Sequence, residues 1–319
     1  MKAIVVEKFG GPEVLRLKDV PDPEPGPGRL VVSLKAIGVN PVDTYIRAGT
    51  YTRAAALPWT PGTDAAGFVE AAGPGSPFKP GERVYVYGAV GGVYAEKAAV
   101  EFTHAFPLPD GLSFEQGAAI GVPYATAHRA LFQSGGARRG ETVLIHGASG
   151  GVGVAAVQLA LAAGLIVIGT AGGTDGAAFL KSIGVSYALD HRKPGYVEEV
   201  LKLTDSKGPQ LIIEMLANVN LAEDLRVAAK HGRIVIVGSR GPVPIDPRYA
   251  MTKDLTVRGM SLANMSDDER EHVHADLAKG FLSGALKPLI GAKFPLIEAY
   301  KAHTAILAPG ARGKIVLIP

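Results

Sequence analysis

The stretch Thr142–Gly164 constrains this chain more than any other. A short apolar run, Thr142–His146, leads into Gly147-Ala148-Ser149-Gly150-Gly151-Val152-Gly153. Val154–Ala163 then reads as an alanine-rich helix that stops at Gly164. Strand, glycine turn and helix in that order open a dinucleotide-binding unit. The glycines have separate tasks. One allows the sharp exit from the strand. Gly150 and Gly151 remove side chains that would hold a diphosphate away from backbone N–H groups, and Gly153 lets the helix lie close to the sheet. Free N–H groups and the dipole at the helix start then favour a bound phosphate. The spacing is G-x-x-G-G-x-G rather than G-x-G-x-x-G, so the context has to carry the reading. Leu165–Thr170 supplies it as a second apolar strand, completing a unit of about thirty residues.

Beyond this unit, apolar strands at Tyr187–Leu189, Leu211–Met215, Ile234–Val237 and Leu255–Met260 alternate with helices at Ala177–Ile183, Tyr196–Leu203 and Leu221–Lys230. Asn220 is expected to cap the last of these helices. Nearly continuous apolar strands between helices mean a parallel sheet covered on both faces, a doubly wound Rossmann sheet. The part before it differs. Short strands at Ala3–Val6, Val14–Val20, Leu30–Val39, Phe68–Ala71, Glu82–Tyr87 and Val93–Ala99, with turns at close intervals, suggest a small barrel-type β domain. Asn40–Tyr51 is polar and aromatic, and Asn40 before Pro41 reads as a turn. Capping boxes stand at Ser113–Gln116 and Ser266–Glu269. After Ser266 a helix to about Ser283, a helix at Pro295–Leu307 and a strand at Lys314–Ile318 break the alternation. The expectation is a discontinuous first domain: 1–122, then the dinucleotide domain 123–261, then a return at 262–319.

Composition excludes several classes. Net charge is only +3 with no long basic run, so nucleic acid has no electrostatic footprint. No apolar run is long enough for a membrane span, and Met1–Gly10 reads as a strand rather than a signal peptide, which leaves the cytoplasm as the default compartment. Cysteine is absent, which excludes disulfides, thiol nucleophiles and cysteine zinc sites. The eight histidines show no ligand spacing; His272 and His274 do not share a helix face. No G-x-S-x-G is present. Hydride transfer without a metal suits this inventory, because the cofactor carries the reactive atom.

The end of the second strand decides which nucleotide binds. An NAD site places an acid there, about twenty residues past the glycines. Here the chain reads Gly169-Thr170-Ala171-Gly172-Gly173-Thr174-Asp175, with Asp175 late enough to cap the next helix. Small residues leave room for a 2′-phosphate, and Lys181, His191 and Arg192 can supply positive charge. NADPH is favoured over NADH.

The sequence resembles, over its whole length, the zeta-crystallin-type NADPH:quinone oxidoreductases, a zinc-free branch of the medium-chain dehydrogenase/reductase superfamily. The resemblance is carried by Phe9–Leu15, Gly38–Arg47, Gly117–Gly121, His146–Gly153, Val237–Gly241 and above all Glu214-Met215-Leu216-Ala217-Asn218-Val219-Asn220. It implies a GroES-like catalytic domain closed by the C-terminal segment, with NADPH in the cleft between domains. It implies that Tyr45 meets the nicotinamide end, and that Asn40 and Thr126 are polar residues beside nicotinamide and quinone. Ser149, Gly150, Gly151 and Val152 would hold the diphosphate, with Gly172 and His191 near the adenosine ribose or its phosphate. Asn220, Val237, Gly238, Ser239, Arg240, Met260, Ser261 and Leu262 would line the rest of the groove. Where zinc-dependent relatives carry a cysteine ligand, this strand end carries Asn40, with Asp43 following in the same loop. The family pairs subunits through the edge of the cofactor sheet, here Leu255–Leu262, giving a homodimer or homotetramer. Two other readings share parts of this pattern. One is a reductase of enone or enoyl double bonds. The other is an RNA-binding or structural crystallin role, against which the near-neutral charge argues.

Overall fold

The computed structural model describes residues 1–52 and 55–319. In chain order its elements begin with β1 (Lys2–Val5), β2 (Arg16–Asp19), β3 (Arg29–Val39), α1 (Pro41–Ala48), β4 (Asp64–Ala72), β5 (Arg83–Tyr87), β6 (Lys97–Glu101), β7 (Ala105–Pro107) and α2 (Phe114–Gly117). Next come α3 (Gly121–His128), β8 (Thr142–Ile145), α4 (Gly151–Ala162), β9 (Ile166–Ala171), α5 (Gly173–Ser182), β10 (Tyr187–Asp190), α6 (Tyr196–Leu203), β11 (Leu211–Glu214) and α7 (Ala217–Val227). The chain closes with β12 (Arg233–Ile236), α8 (Arg248–Lys253), β13 (Thr256–Gly259), α9 (Asp267–Leu282), β14 (Ile290–Pro295), α10 (Ala299–Ala305) and β15 (Lys314–Ile318). The chain divides into two compact units, Met1–Val122 with His274–Pro319, and Pro123–Val273.

In the first unit, strands run in the order β14-β15-β3-β4-β5-β7, with β6 also on β3. β3 is eleven residues long and serves two partners on one side: Arg29–Ser33 pair with β6, and Ile37–Val39 pair with β15. Its register against β4 shifts twice, between Val31 and Val32 and between Leu34 and Ala36, bends of the kind that curl a sheet. The curled sheet encloses Ile4, Leu30, Ile37, Val86, Tyr94 and Leu317, all fully buried. Each such large apolar side chain contributes ~1.5–3 kcal/mol.

The second unit holds a parallel six-stranded sheet among the described residues, in the order β10-β9-β8-β11-β12-β13. Chain order reverses between β8 and β11, so the loops leaving those strands diverge and open a crevice at their carboxyl ends. The core beside them includes Leu144, Ile168, Ile212, Leu225 and Ile234. The strands of this sheet lie within one residue of their expected positions and Tyr196–Leu203 is the expected helix, but β13 is exposed throughout instead of covered on both faces.

Several expectations need correction. Asn40 does not open a loop; it caps α1, with Pro41 in the first turn and Asp43 completing a capping box. Asn220 lies inside α7, whose cap position is Leu216, so it is not the helix cap. Asp175 lies in the first turn of α5 rather than capping it. The strand expected at Val93–Ala99 is Lys97–Glu101, and the helix expected from Pro295 is preceded by β14. The return to the first unit comes at His274, inside α9, not at 262. His274 stacks on Phe106 at 3.8 Å and its Nδ1 lies 2.9 Å from the Tyr85 hydroxyl, which ties this half of the helix to the first unit.

Candidate active site

Leaving β8, the backbone turns through Gly147 at φ 56°, the left-handed region that glycine enters without strain. The Ala148 N–H donates to the Thr170 carbonyl at 2.9 Å, and the Gly150 N–H donates to the Gly147 carbonyl at 3.0 Å. Gly150 then caps α4 without any side-chain hydrogen bond. The first amides of this twelve-residue helix therefore keep their donors for something else, and its dipole adds partial positive charge. A Cβ on Gly153 would stand 2.2 Å from the Gly147 oxygen and 2.5 Å from Ala148 Cα. Helix and turn touch backbone to backbone. This cradle fits a diphosphate.

The other expected nucleotide contacts follow the carboxyl ends of successive strands. Ser149, Gly150, Gly151 and Val152 follow β8, Gly172 follows β9, and His191 follows β10. Asn220 follows β11, Val237–Arg240 follow β12, and Met260, Ser261 and Leu262 follow β13. Asn218 Oδ1 accepts the Arg240 N–H at 2.8 Å, joining two of these loops. Lys181 is placed differently. It is exposed in the last turn of α5, the end remote from the strand tips. The cation that reaches the end of β9 is Arg192: a Cβ on Gly172 would meet its Nε at 2.8 Å. Asp190 Oδ1 fixes this corner by accepting from the Gly173 and Arg192 N–H groups at 2.8 and 3.0 Å. His191, Arg192, Lys193 and Tyr196 border an open groove of about 400 Å³. Burial, more than Arg192, holds the His191 pKa below its usual value.

In the first unit a second cluster surrounds Asn40. Its Oδ1 accepts from Lys314 Nζ at 2.6 Å, and its Nδ2 donates to Asp64 Oδ2 at 2.9 Å. Lys314 also reaches Asp64 Oδ2 at 2.8 Å, and Asp64 Oδ1 accepts the Val122 N–H at 2.7 Å. All three side chains are buried. The amide of Asn40 is thereby held in one orientation, with one Nδ2 proton left over. Below it, Asn40 N–H and Tyr94 OH both donate to Asp43 Oδ2, at 2.8 and 3.2 Å. Tyr94 lies 3.0 Å from His303 Nε2, and Arg47 donates to His303 Nδ1 at 3.2 Å. Arginine only donates, so His303 carries its proton on Nε2 and passes a hydrogen bond to Tyr94. Burial pushes Asp43 up to about 7 against the pull of Asn40 and Lys314. Burial, with Arg47 beside it, pulls His303 down to about 3. Tyr45 is half-buried on α1, the helix that Asn40 caps, while Thr126 is buried on α3 of the second unit.

Asp64, Lys314 and Arg192 were not among the expected site residues apart from the charge of Arg192. A lone lysine opening the apolar run Lys314–Ile318, and a lone acid before Ala65-Ala66-Gly67, are the signals that point to a buried pair.

A six-stranded parallel sheet with an uncapped helix start behind a glycine turn, joined to a curled β domain, defines a dinucleotide-binding medium-chain dehydrogenase/reductase. Residues 26–110 match the alcohol dehydrogenase GroES-like domain, and residues 151–279 match the zinc-binding dehydrogenase family. Quinone oxidoreductase from Rattus norvegicus is 46% identical over 321 residues, covering 100% of this chain and 98% of that protein. The Homo sapiens quinone oxidoreductase is 45% identical with the same coverage. A solved structure of Escherichia coli quinone oxidoreductase complexed with NADPH matches with a TM-score of 0.93 and 30% identity, covering 100% of both chains. The chain belongs to the quinone oxidoreductase family of the medium-chain dehydrogenase/reductase superfamily. No helix among the described residues is long and apolar enough to cross a membrane.

Proposed function

We propose that this protein is an NADPH-dependent quinone oxidoreductase. The observation that carries the reading is the uncapped start of α4 behind a glycine turn whose neighbouring strand, β9, leads into Gly172 with the Arg192 side chain against it, the nearby Asp190 being engaged by the Gly173 and Arg192 N–H groups. The bound nucleotide supplies the hydride. The chain supplies the rest. Amides of Gly151 and Val152 bind the diphosphate, with Ser149 beside them. Arg192, with His191, complements the 2′-phosphate. Asn220, Val237–Arg240 and Met260–Leu262 line the remaining groove. On the first unit, the spare Nδ2 proton of Asn40 and the Tyr45 hydroxyl are donors for the acceptor oxygen as negative charge develops. Thr126 is a further polar candidate at the acceptor. Lys314 holds Asn40 in place, and its ammonium provides fixed positive charge beneath it.

We assign the activity to the cytoplasm, where reduced nucleotide is supplied. We further assign a homo-oligomer, dimer or tetramer, formed through β13. That strand ends the sheet, and all its residues are exposed, Val257 at 43%. Unpaired edge strands of this kind add a partner strand readily.

The test is a titration with NADPH and NADH, followed by turnover with a naphthoquinone and an enone. The reading requires tighter binding of NADPH and faster reduction of the quinone. Faster enone reduction would move the chain to the double-bond reductases, and absence of nucleotide binding would remove the assignment altogether.

A further inference from the structure

His146, Glu214 and Asp224 form a buried grouping that the reaction above leaves unused. His146 directly precedes Gly147, Glu214 closes β11, and Asp224 lies on α7. Glu214 and Asp224 are 0% and 1% exposed. His146 Nε2 is 2.8 Å from Asp224 Oδ1 and 3.6 Å from Glu214 Oε2. One donor atom from each residue lies within 4.8 Å of the others. Glu214 Oε2 and Asp224 Oδ2 are buried and accept no hydrogen bond from the described residues.

Two carboxylates this close, away from water, do not both stay ionised beside one imidazole. An imidazolium, one carboxylate and one carboxylic acid balance to zero. In that arrangement the Glu214 acid donates to Asp224 and uses the bare oxygens. A divalent cation would also balance the charge. Two ligands of one zinc ion, each at ~2.1 Å, stand roughly 3.4 Å apart in tetrahedral geometry. The 2.8 Å between His146 and Asp224 is instead a hydrogen-bond distance.

The grouping reaches the loops that leave the central strands. Thr170 Oγ1, at the end of β9, is 3.4 Å from His146 Nδ1 and accepts the Gly147 N–H at 3.3 Å. Glu214 Oε1 accepts the Leu216 N–H and, at 3.2 Å, Asn220 Nδ2. Burial pushes Glu214 up to about 8; Asp224 adds to this and His146 opposes it. Burial disfavours a charged His146, yet Asp224 and Glu214 outweigh it and raise its pKa. The other titratable groups that interact with the grouping are Tyr196 on α6 and His191 after β10; Glu198 and Glu223, beyond Tyr196, are exposed and paired with Arg226. Burial, with the acids behind it, pushes Tyr196 up to about 12, so it stays neutral across the range that matters.

We propose that His146, Glu214 and Asp224 are positioning residues that hold a shared proton behind the nucleotide turn, and that this protonated grouping keeps the loops after β8, β9 and β11 in the shape that binds NADPH. The inference rests on the NADPH reading above. When the proton leaves, Glu214 and Asp224 repel; the Leu216 and Asn220 donors favour the ionised Glu214 and hold it, so the strain falls on the Asp224–His146 contact and on the turn that follows His146. The sign follows from the direction of the shift: the acid form is present below about 8 and lost above it.

The test measures NADPH affinity from about pH 7 to about pH 10 by nucleotide fluorescence, for the parent protein and for Glu214→Gln. The parent is expected to weaken above pH 8 by up to about tenfold per pH unit, the slope of one coupled proton. Glu214→Gln, which cannot titrate, is expected to lose that slope. An infrared band of a protonated carboxyl, present at neutral pH, lost in alkali and absent from Glu214→Gln, reads the proton without any ligand. If Glu214→Gln does not fold, Asp224→Asn replaces it, and the infrared titration of the parent stands by itself. A flat parent profile, the same slope in the variant, or zinc binding that abolishes the band would each overturn the proposal. Failure to bind NADPH at any pH would instead strike the nucleotide reading and leave the infrared result to decide the proton.

Discussion

Lys314 Nζ lies 2.8 Å from Asp64 Oδ2, with the two side chains 3% and 0% exposed. The partners are 250 positions apart in the chain and join the start of β15 to the start of β4. A buried pair of this kind adds little over an apolar pair of the same shape, but removing one member strands the other. Lys314→Met is therefore expected to lower the unfolding free energy by about 3–5 kcal/mol. Lys314→Met with Asp64→Asn should recover much of it. Urea unfolding of the three proteins checks this, and equal losses in the single and double variants would count against the pair.

Gly153 is needed for contact, not for its backbone angle. Gly153→Ala places a methyl 2.2 Å from the Gly147 oxygen, and neither backbone can give way. Overpacking of this type costs about 1–3 kcal/mol, and here it is taken from the turn that binds the diphosphate. NADPH affinity should fall about tenfold or more while quinone affinity changes little. Calorimetric titration with the nucleotide measures it, and an unaltered Kd would mean the diphosphate lies elsewhere.

Arg192 over Gly172 is the group expected to tell NADPH from NADH. A hydrogen bond to a charged partner contributes about 1.5–3 kcal/mol, roughly ten- to a hundredfold. Arg192→Ala should cut the NADPH preference by that factor through KM for NADPH, leaving NADH nearly unaffected. Lys181→Ala, far along α5, should do almost nothing. Steady-state kinetics with both nucleotides separates the two residues.

Much of the second unit was legible in the sequence, because most of its strands are short apolar runs and two of its helices, α4 and α5, are followed by left-handed glycines, Gly164 and Gly184. Tyr196–Leu203 and Lys314–Ile318 were placed to the residue. The failures were local ambiguities of another sort. Asn40-Pro41 serves a turn or a helix start equally well, and only Asp43 three residues on distinguishes them. β14 alternates half-buried with exposed residues and ends in proline, so its run never looks apolar. The site clusters were out of reach for a stronger reason. Asn40 and Lys314 are 274 positions apart, and His146 and Asp224 are 78 apart. No spacing rule connects residues that meet only after the sheets have formed.

Asn40 is held by Lys314 and Asp64 with one amide proton to spare, which makes it a donor that needs no reorganisation. Asn40→Ala should lower kcat by about 10²-fold, the effect of removing one such donor, with KM for NADPH near the parent value. Tyr45→Phe should act in the same direction. Stopped-flow measurement of hydride transfer distinguishes a chemical defect from slow product release. Parent rates in both variants would take the donors away from Asn40 and Tyr45.

Asp43 and His303 sit in one hydrogen-bonded chain through Tyr94, and their shifts oppose each other in acid. Asp43 is raised from 3.8 to about 7, so the folded state keeps a proton the unfolded chain has lost, and stability from this group declines as pH rises between those values. His303 is lowered from 6.5 to about 3, so the unfolded chain takes a proton the folded state refuses, and stability declines as pH falls between those values. Where the windows overlap the two slopes, each at most ~1.4 kcal/mol per pH unit, largely cancel. Asp43→Asn removes one slope and leaves the other. Its unfolding free energy, relative to the parent, should fall steadily as pH drops from about 6.5 to about 4. His303→Gln should show the reverse, gaining on the parent over the same interval. Urea midpoints collected across that interval decide the matter. Two variants that track the parent in parallel would show that neither group changes its proton on unfolding.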